Sequence, residues 1–109
     1  MAVNRLARLL QFLEEDPDDP FVRFALASEY LKAGDLESSL EWFEALARDQ
    51  PDYVGTYYQL GMLYRRLGRE EEALKTFEDG IQAASRINDF HAVSELRSAK
   101  MEIEIGGDP

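Results

Sequence analysis

Leu26, Tyr30, Gly34, Leu40 and Phe43 return 34 residues later as Leu60, Tyr64, Gly68, Leu74 and Phe77. Glu37 and Glu44 return as Glu71 and Glu78, so the windows 20–53 and 54–87 share seven identical positions. A period of this length marks a stacked supersecondary unit, because one such unit cannot bury its apolar face alone and must set it against a copy. Each window holds two stretches of helical spacing. In the first, Phe24, Leu26, Ala27, Tyr30 and Leu31 form one stripe and Leu36, Leu40, Phe43 and Ala47 another, parted by Ala33-Gly34-Asp35 and ended by Gln50-Pro51-Asp52. In the second, Tyr57, Leu60, Gly61 and Tyr64 precede Gly68, and Ala73, Leu74, Phe77 and Ile81 follow it. A glycine at the end of each first stripe permits the left-handed backbone that reverses the chain. Period-two alternation is not sustained, so the fold class is all-α, built from antiparallel helix pairs.

Small residues also return in register: Ala27 as Gly61 and Ser39 as Ala73. With Leu26-Ala27, Tyr30, Gly34, Ser39, Phe43 and Pro51, then Leu60-Gly61, Tyr64, Gly68, Ala73 and Phe77, the chain resembles the tetratricopeptide repeat family. The resemblance implies a short right-handed helical-repeat array of about six helices, a single domain over 5–105 with complete repeats at 20–53 and 54–87. There are departures. Arg23 stands where the family often has tryptophan, with Tyr57 as the aromatic counterpart. Leu46 and Gly80 replace the usual alanine, and Ser85 replaces the counterpart of Pro51, so the second returning helix is expected to end differently or to run longer.

The phase reaches both ends. Leu6, Leu9, Leu10, Phe12 and Leu13 read as an isolated returning helix before Pro17, and Asn88 is the expected cap of a last helix holding Val93, Leu96, Ala99, Lys100 and Ile103. Glu95 falls at the position of Ala27 and Gly61, which suits a last helix that nothing crosses closely. Met1–Asn4 and Gly106–Pro109 are expected to be mobile.

The 109 residues carry no cysteine and one histidine, which excludes disulfides, thiolate metal centres and multi-histidine sites. A formal net charge of -10 argues against nucleic acid, whose phosphates demand a concentrated positive surface. Neither a membrane span nor a signal peptide is read, and a cytoplasmic setting is the default expectation. No nucleotide-binding motif or reactive cluster is present, so neither a cofactor nor enzymatic activity is expected. His91 opens the last helix and is expected to cover the preceding hairpin or face solvent. The run Glu14-Glu15-Asp16-Pro17-Asp18-Asp19 lacks calcium-loop spacing and reads as a helix end followed by a solvated turn.

What the resemblance implies about function is a concave face lined by the first helix of each unit. Phe24, Ser28 and Lys32 of one unit would stand beside Tyr58, Met62, Arg65 and Arg66 of the next. Ala92, Leu96, Ala99 and Lys100 extend the row if the last helix packs in phase. Lys32, Arg66 and Lys100 then form a basic line toward an acidic or amphipathic polypeptide, with Phe24, Tyr58 and Met62 as apolar contacts. Residues 20–53 sum to -4 while 54–87 balance five basic against five acidic residues. Some family members clamp a peptide carboxylate. Lys32 and Arg66 match the basic parts of that clamp, but Phe24, Ala25, Ser28 and Met62 depart from it. The expected function is a protein–protein interaction adaptor or assembly module. The alternatives are a homo-oligomeric scaffold that buries the leading-helix edge and, more remotely, an accessory domain of an enzyme.

Overall fold

A computed structural model of the chain describes residues 2–106, with side chains from residue 5 onward. Among the described residues there are six helices and no strand: α1 (Ala2–Glu15), α2 (Pro20–Lys32), α3 (Leu36–Asp49), α4 (Gly55–Arg66), α5 (Glu70–Arg86) and α6 (Phe90–Glu104). The chain divides into two compact units, residues 1–50 with α1–α3 and residues 51–109 with α4–α6. α1 begins at Ala2, so residues 2–4 are helical, and the expectations for Met1 and Gly107–Pro109 fall outside the described residues.

In the first unit α2 starts at Pro20, whose fixed φ suits a first helical residue, after Asp19, whose carboxylate accepts the Phe21 N–H at 2.9 Å. The helix ends where Gly34 takes φ 84° and Asp35 N–H donates to Tyr30 O at 2.9 Å. Asp35 then caps α3 by accepting from Ser38 N–H at 3.1 Å and Ser38 Oγ–H at 2.7 Å, which holds its carboxyl below the usual carboxylate range. Phe43 and Leu46 of α3 are fully buried, and the buried Ser39 hydroxyl donates to Ala27 O at 2.8 Å across the crossing. Leu9 of α1 lies in a cluster with Val22, Ala25 and Leu26, flanked by Leu6, Leu13 and Trp42.

Arg23, in the position filled by Tyr57 in the other unit, is buried and directs Nη2 to Asp49 Oδ2 at 2.8 Å. That hydrogen bond and the guanidinium charge lower the Asp49 pKa. Tyr57 instead donates its hydroxyl to Pro51 O at 2.6 Å. One position is thus served by two solutions, each tying the first helix to the segment that ends or follows a returning helix.

The second unit repeats the hairpin. Gly68 takes φ 77° and Arg69 N–H donates to Tyr64 O at 2.8 Å. α5 runs to Arg86, three residues beyond the counterpart of Asp49, because Ser85 imposes none of the restriction of Pro51. Its end corrects one expectation. Asn88 does not cap α6; it takes φ 60° and terminates α5, with Asp89 N–H donating to Ala84 O at 2.9 Å. Asparagine tolerates this left-handed conformation better than most residues. The α6 cap is Asp89, whose carboxylate accepts from Ala92 N–H at 3.1 Å.

Phe77 is fully buried, and its ring occupies the space that a side chain at Gly61 would take: a Cβ there would lie 2.3 Å from Phe77 Cε1. Gly80 is equally constrained, since a Cβ would lie 2.5 Å from Tyr57 Cβ and 3.0 Å from Leu96 Cδ1. Two helices, α4 and α6, therefore close on α5 at a point where only hydrogen fits.

Candidate functional site

The second unit contains an open groove of about 280 Å³ between α4 and α6. Tyr58 and Met62 supply the α4 wall, one turn apart on the same helix face. His91, Ser94, Glu95 and Ser98 supply the α6 wall, with Ala99 and Glu102 toward its far end. Tyr58 is 37% exposed, and its ring tilts at 48° to that of Phe77 with centroids 6.4 Å apart, so the buried core of the hairpin supports it. The groove is smaller than ordinary cofactor pockets and matches insertion of side chains better than of a whole small molecule.

The α6 wall follows from the repeat phase. Its residues His91, Ser94, Glu95 and Ser98 are in register with Tyr57, Leu60, Gly61 and Tyr64 of α4, which are all buried. In α4 that face rests on the returning helix α5. In α6 the same face is polar and carries a glutamate in place of the small crossing residue, and no helix covers it among the described residues. Burying Glu95 against a crossing helix would require a partner for its charge, so this sequence leaves the face to solvent or ligand.

α6 does not continue the first-helix row in phase, which corrects the expected placement of Ala92, Leu96, Ala99 and Lys100 along the groove. Leu96 is 1% exposed and packs at Gly80, within a buried stripe of Val93, Leu96, Ala99 and Ile103. That stripe lies about a quarter turn or more around the helix from the α4 pattern, because its apolar residues occupy the counterparts of Gln59, Met62 and Arg65. Ala99 alone of the four reaches the groove lining.

The eight candidate residues separate accordingly. Tyr58 and Met62 come together on the groove wall. Arg65, only 3% exposed, sends Nη1 to Glu102 Oε2 at 3.2 Å and ties α4 to α6 at the groove's end. Arg66 is exposed at the last residue of α4, outside the lining. Lys100 turns to α5, where Nζ meets Glu78 Oε2 at 2.9 Å. This pairing lowers the Glu78 pKa and raises that of Lys100. Phe24, Ser28 and Lys32 lie on α2 of the first unit. There Phe24 meets Phe43 edge-on at 5.5 Å, the Ser28 hydroxyl donates to Phe24 O at 3.0 Å, and Lys32 is exposed.

Sequence reasoning did not assign His91, Ser94, Ser98 and Glu102 to the groove. For His91, Ser94 and Ser98 the signal was present, since these polar residues replace buried Tyr57, Leu60 and Tyr64 in register, whereas Glu102 matches exposed Gly68 and carried no such signal. His91 is exposed, with Nε2 3.2 Å from Glu95 Oε1 on the next turn. Asp89 is committed to its capping bond. Among the described residues no group of three or more His, Asp or Glu side chains is placed to hold a metal ion, and no helix is long and apolar enough to cross a membrane.

Known proteins agree with this architecture. The sequence profile described as Tetratricopeptide repeat matches residues 6–54 and 24–86. The TPR repeat-containing protein YpiA of Bacillus subtilis is 32% identical over 94 residues, which is 86% of this chain and 21% of YpiA. A TPR repeat-containing protein of Pseudomonas aeruginosa is 28% identical over 88 residues, covering 81% of this chain and 84% of its own length. The chain spans about a fifth of YpiA and 6% of the cellulose synthase operon protein C of Pseudomonas fluorescens, which it also matches. Among solved structures, a tetratricopeptide repeat domain protein of Salinibacter ruber superposes with a TM-score of 0.77 at 47% identity, covering 80% of this chain and 88% of that one. The Sgt2 TPR domain of Aspergillus fumigatus shares the fold at 20% identity, with a TM-score of 0.71 over 99% of this chain and 74% of its own. The helical hairpins, the small residues at their crossings and these matches together place the chain in the tetratricopeptide repeat family, whose fold serves protein–protein interaction and assembly.

Proposed function

We propose that the chain is a polypeptide-binding adaptor or assembly module whose docking surface is the groove between α4 and α6. The observation that supports this most directly is the pairing of accessible Tyr58 and Met62 on one wall with an uncovered, hydrogen-bonding face of α6 on the other. An aromatic and a flexible thioether provide apolar contact to a partner side chain, while Ser94, Ser98 and the carboxylates of Glu95 and Glu102 fix its polar groups. Selection of binding peptides from a displayed library tests the reading. Bound peptides are expected to shift the amide resonances of Tyr58, Met62, Ser94 and Ser98, and Tyr58→Ala is expected to weaken them about tenfold or more. Peptides that perturb only α1–α3, or that bind Tyr58→Ala and the native chain equally, would remove the assignment. Lys32 and Arg66 remain exposed, and their charge reversal tests separately for recognition of acidic segments.

A second reading, self-assembly, rests on α1. Phe12 is 46% exposed although its counterpart in register, Leu46, is fully buried, and Leu10 beside it is also exposed. Among the described residues no side chain covers Leu10 and Phe12, so this edge offers an apolar patch to a second copy. Sedimentation of the native chain and of Phe12→Asp measures it: a concentration-dependent dimer that the substitution abolishes supports the scaffold, and a native monomer at high concentration removes it.

A further inference from the structure

The groove reading leaves the class of partner open, and the rest of α6 narrows it. Around this helix the exposed residues sort into bands. Phe90, Met101 and Ile105, which are 68%, 58% and 75% exposed, fall within about 60° of arc. Ser94 and Ser98 lie in and beside the same arc, and Glu95 and Glu102 follow on the side toward α4. α6 and its C-cap therefore present apolar side chains at the two ends of one arc, Phe90 at the start and Met101 and Ile105 at the finish, with Ser94 and Ser98 between them and two carboxylates seven residues apart alongside, two helical turns or roughly 10 Å along the axis.

The cations near this surface are spent or turned away. Arg65 is buried and engaged with Glu102, and Lys100 is held by Glu78 on α5. Arg97 is exposed and borders the apolar side chains on the flank away from Glu95, about 20° of arc from Phe90 and about 40° from Met101, and Arg66 is not part of the lining. His91 contacts Glu95, the carboxylate with no arginine or lysine bound to it here. On this wall Glu95 is met by His91, while Glu102 is partly neutralised by Arg65. An acidic segment would meet repulsion at this wall, whereas the acidic preference read from the sequence depended on a basic row that α6 does not supply.

Resting on the groove reading, we infer that the partner is an amphipathic helix that lays apolar residues on Phe90, Met101 and Ile105 and directs basic residues seven apart toward Glu95 and Glu102. Met62 and Met101 adapt to the partner's apolar side chains, and Tyr58 offers a ring face to an inserted cation. Helices that dock in grooves are read through anchors at this spacing, so the geometry matches one helical face of a partner rather than an extended strand.

The probe is a fluorescein-labelled peptide of about fourteen residues, with leucines at helical spacing and two lysines seven apart, together with its counterpart carrying glutamates. The lysine peptide is expected to bind and to shift resonances of Tyr58, Met62, Ser94, Ser98 and Met101. Glu95→Gln should weaken it about three- to fivefold, and Glu95→Gln with Glu102→Gln about tenfold, because each is an exposed pair. Gln at 102 retains an oxygen for Arg65, and thermal unfolding confirms that the variants fold. Glu37→Gln with Glu41→Gln on α3 removes the same charge elsewhere and should change binding less than about twofold. Equal losses in both double variants would mean general attraction to an acidic protein and overturn the inference. Groove binding by the glutamate peptide in preference to the lysine peptide would overturn the partner class while leaving the groove assignment intact. If neither peptide perturbs the groove and α6 is instead protected in a self-associated form, both readings fall.

Discussion

Gly61→Ala is the most discriminating test of the packing that supports the groove. On an isolated helix this substitution is favourable by about 0.8–1 kcal/mol, because alanine surrenders less backbone entropy than glycine. Here the new Cβ would sit 2.3 Å from Phe77 Cε1 and 2.7 Å from both Cδ1 and Cζ. Carbon atoms in contact prefer about 3.5–4 Å, so helix or ring must yield by more than about 1 Å. Phe77 is fully buried and cannot swing into solvent. Overpacking of this kind costs about 1–3 kcal/mol, and the collision is severe enough to place the cost at the upper end. Subtracting the propensity gain leaves about 1–2 kcal/mol of net destabilisation, or about 5–15 °C in Tm for a domain of this size.

Thermal and urea unfolding followed by circular dichroism measure that loss, and Phe77→Leu in the same chain supplies the control. A smaller, branched side chain vacates the space, so the double variant should be more stable than the sum of the two single effects by about 1 kcal/mol. Because the Tyr58 ring lies against Phe77, the single variant should also shift the Tyr58 resonances. A Gly61→Ala protein as stable as the native chain, or more stable, would refute the reasoning. So would strictly additive behaviour with Phe77→Leu.

Tyr57→Phe removes the hydroxyl bond to Pro51 O at 2.6 Å and should cost about 1 kcal/mol in urea unfolding; a neutral result would mean that water replaces the bond without loss. Gly34→Ala meets nothing within 4 Å but must hold φ near 84°, so it should cost about 1–2 kcal/mol by backbone strain alone, without the Phe77-dependent rescue expected at Gly61. The Glu78–Lys100 pair predicts stability losses at both ends of the pH range. The lowered Glu78 pKa contributes stability above the ordinary glutamate value that is lost as pH falls through the folded value, and the raised Lys100 pKa contributes stability below the ordinary lysine value that is lost as pH rises through its folded value. Lys100→Met should flatten the acid limb, as read from chemical denaturation across pH, and an unchanged limb would argue that the pair is not formed in solution.

The helices were legible in the sequence because their determinants are local or periodic. Gly34 and Gly68 mark chain reversals through φ, and Phe43 and Phe77 mark the core through burial at a repeated register. The longer α5 was legible for the same reason, through Ser85 in place of the counterpart of Pro51. What escaped depended on rotation about a helix axis. Asn88 reads equally well as a cap for α6 or as a left-handed end for α5, and only the extra turn of α5 decides between them. Likewise, an interval of 34 residues puts Lys100 beside Arg66 only when successive first helices keep one orientation. The identities that establish the repeat end at Glu78, so nothing in the period itself constrained α6.

The departure of α6 is also what makes the groove chemically usable. In α4, Leu60, Gly61 and Tyr64 surrender their accessible surface to α5. Had α6 kept that pattern, its counterparts would expose an apolar face demanding another helix, and the open wall would be a site of nonspecific association. Ser94, Glu95 and Ser98 instead make the wall tolerable to water, while Val93, Leu96 and Ile103 move the apolar load to the side that rests on α5. Leu96 is locked there by Gly80, so the helix cannot rotate to restore the repeat's row without driving its buried leucine into solvent, at about 1.5–3 kcal/mol. The orientation that withdraws Lys100 to Glu78 and presents Glu95 is therefore fixed by the core of the unit. Gly80→Ala, whose Cβ would lie 2.5 Å from Tyr57 Cβ and 3.0 Å from Leu96 Cδ1, should force α4 and α6 away from α5 and weaken ligand binding, measured by peptide titration, even though Gly80 is not part of the groove lining.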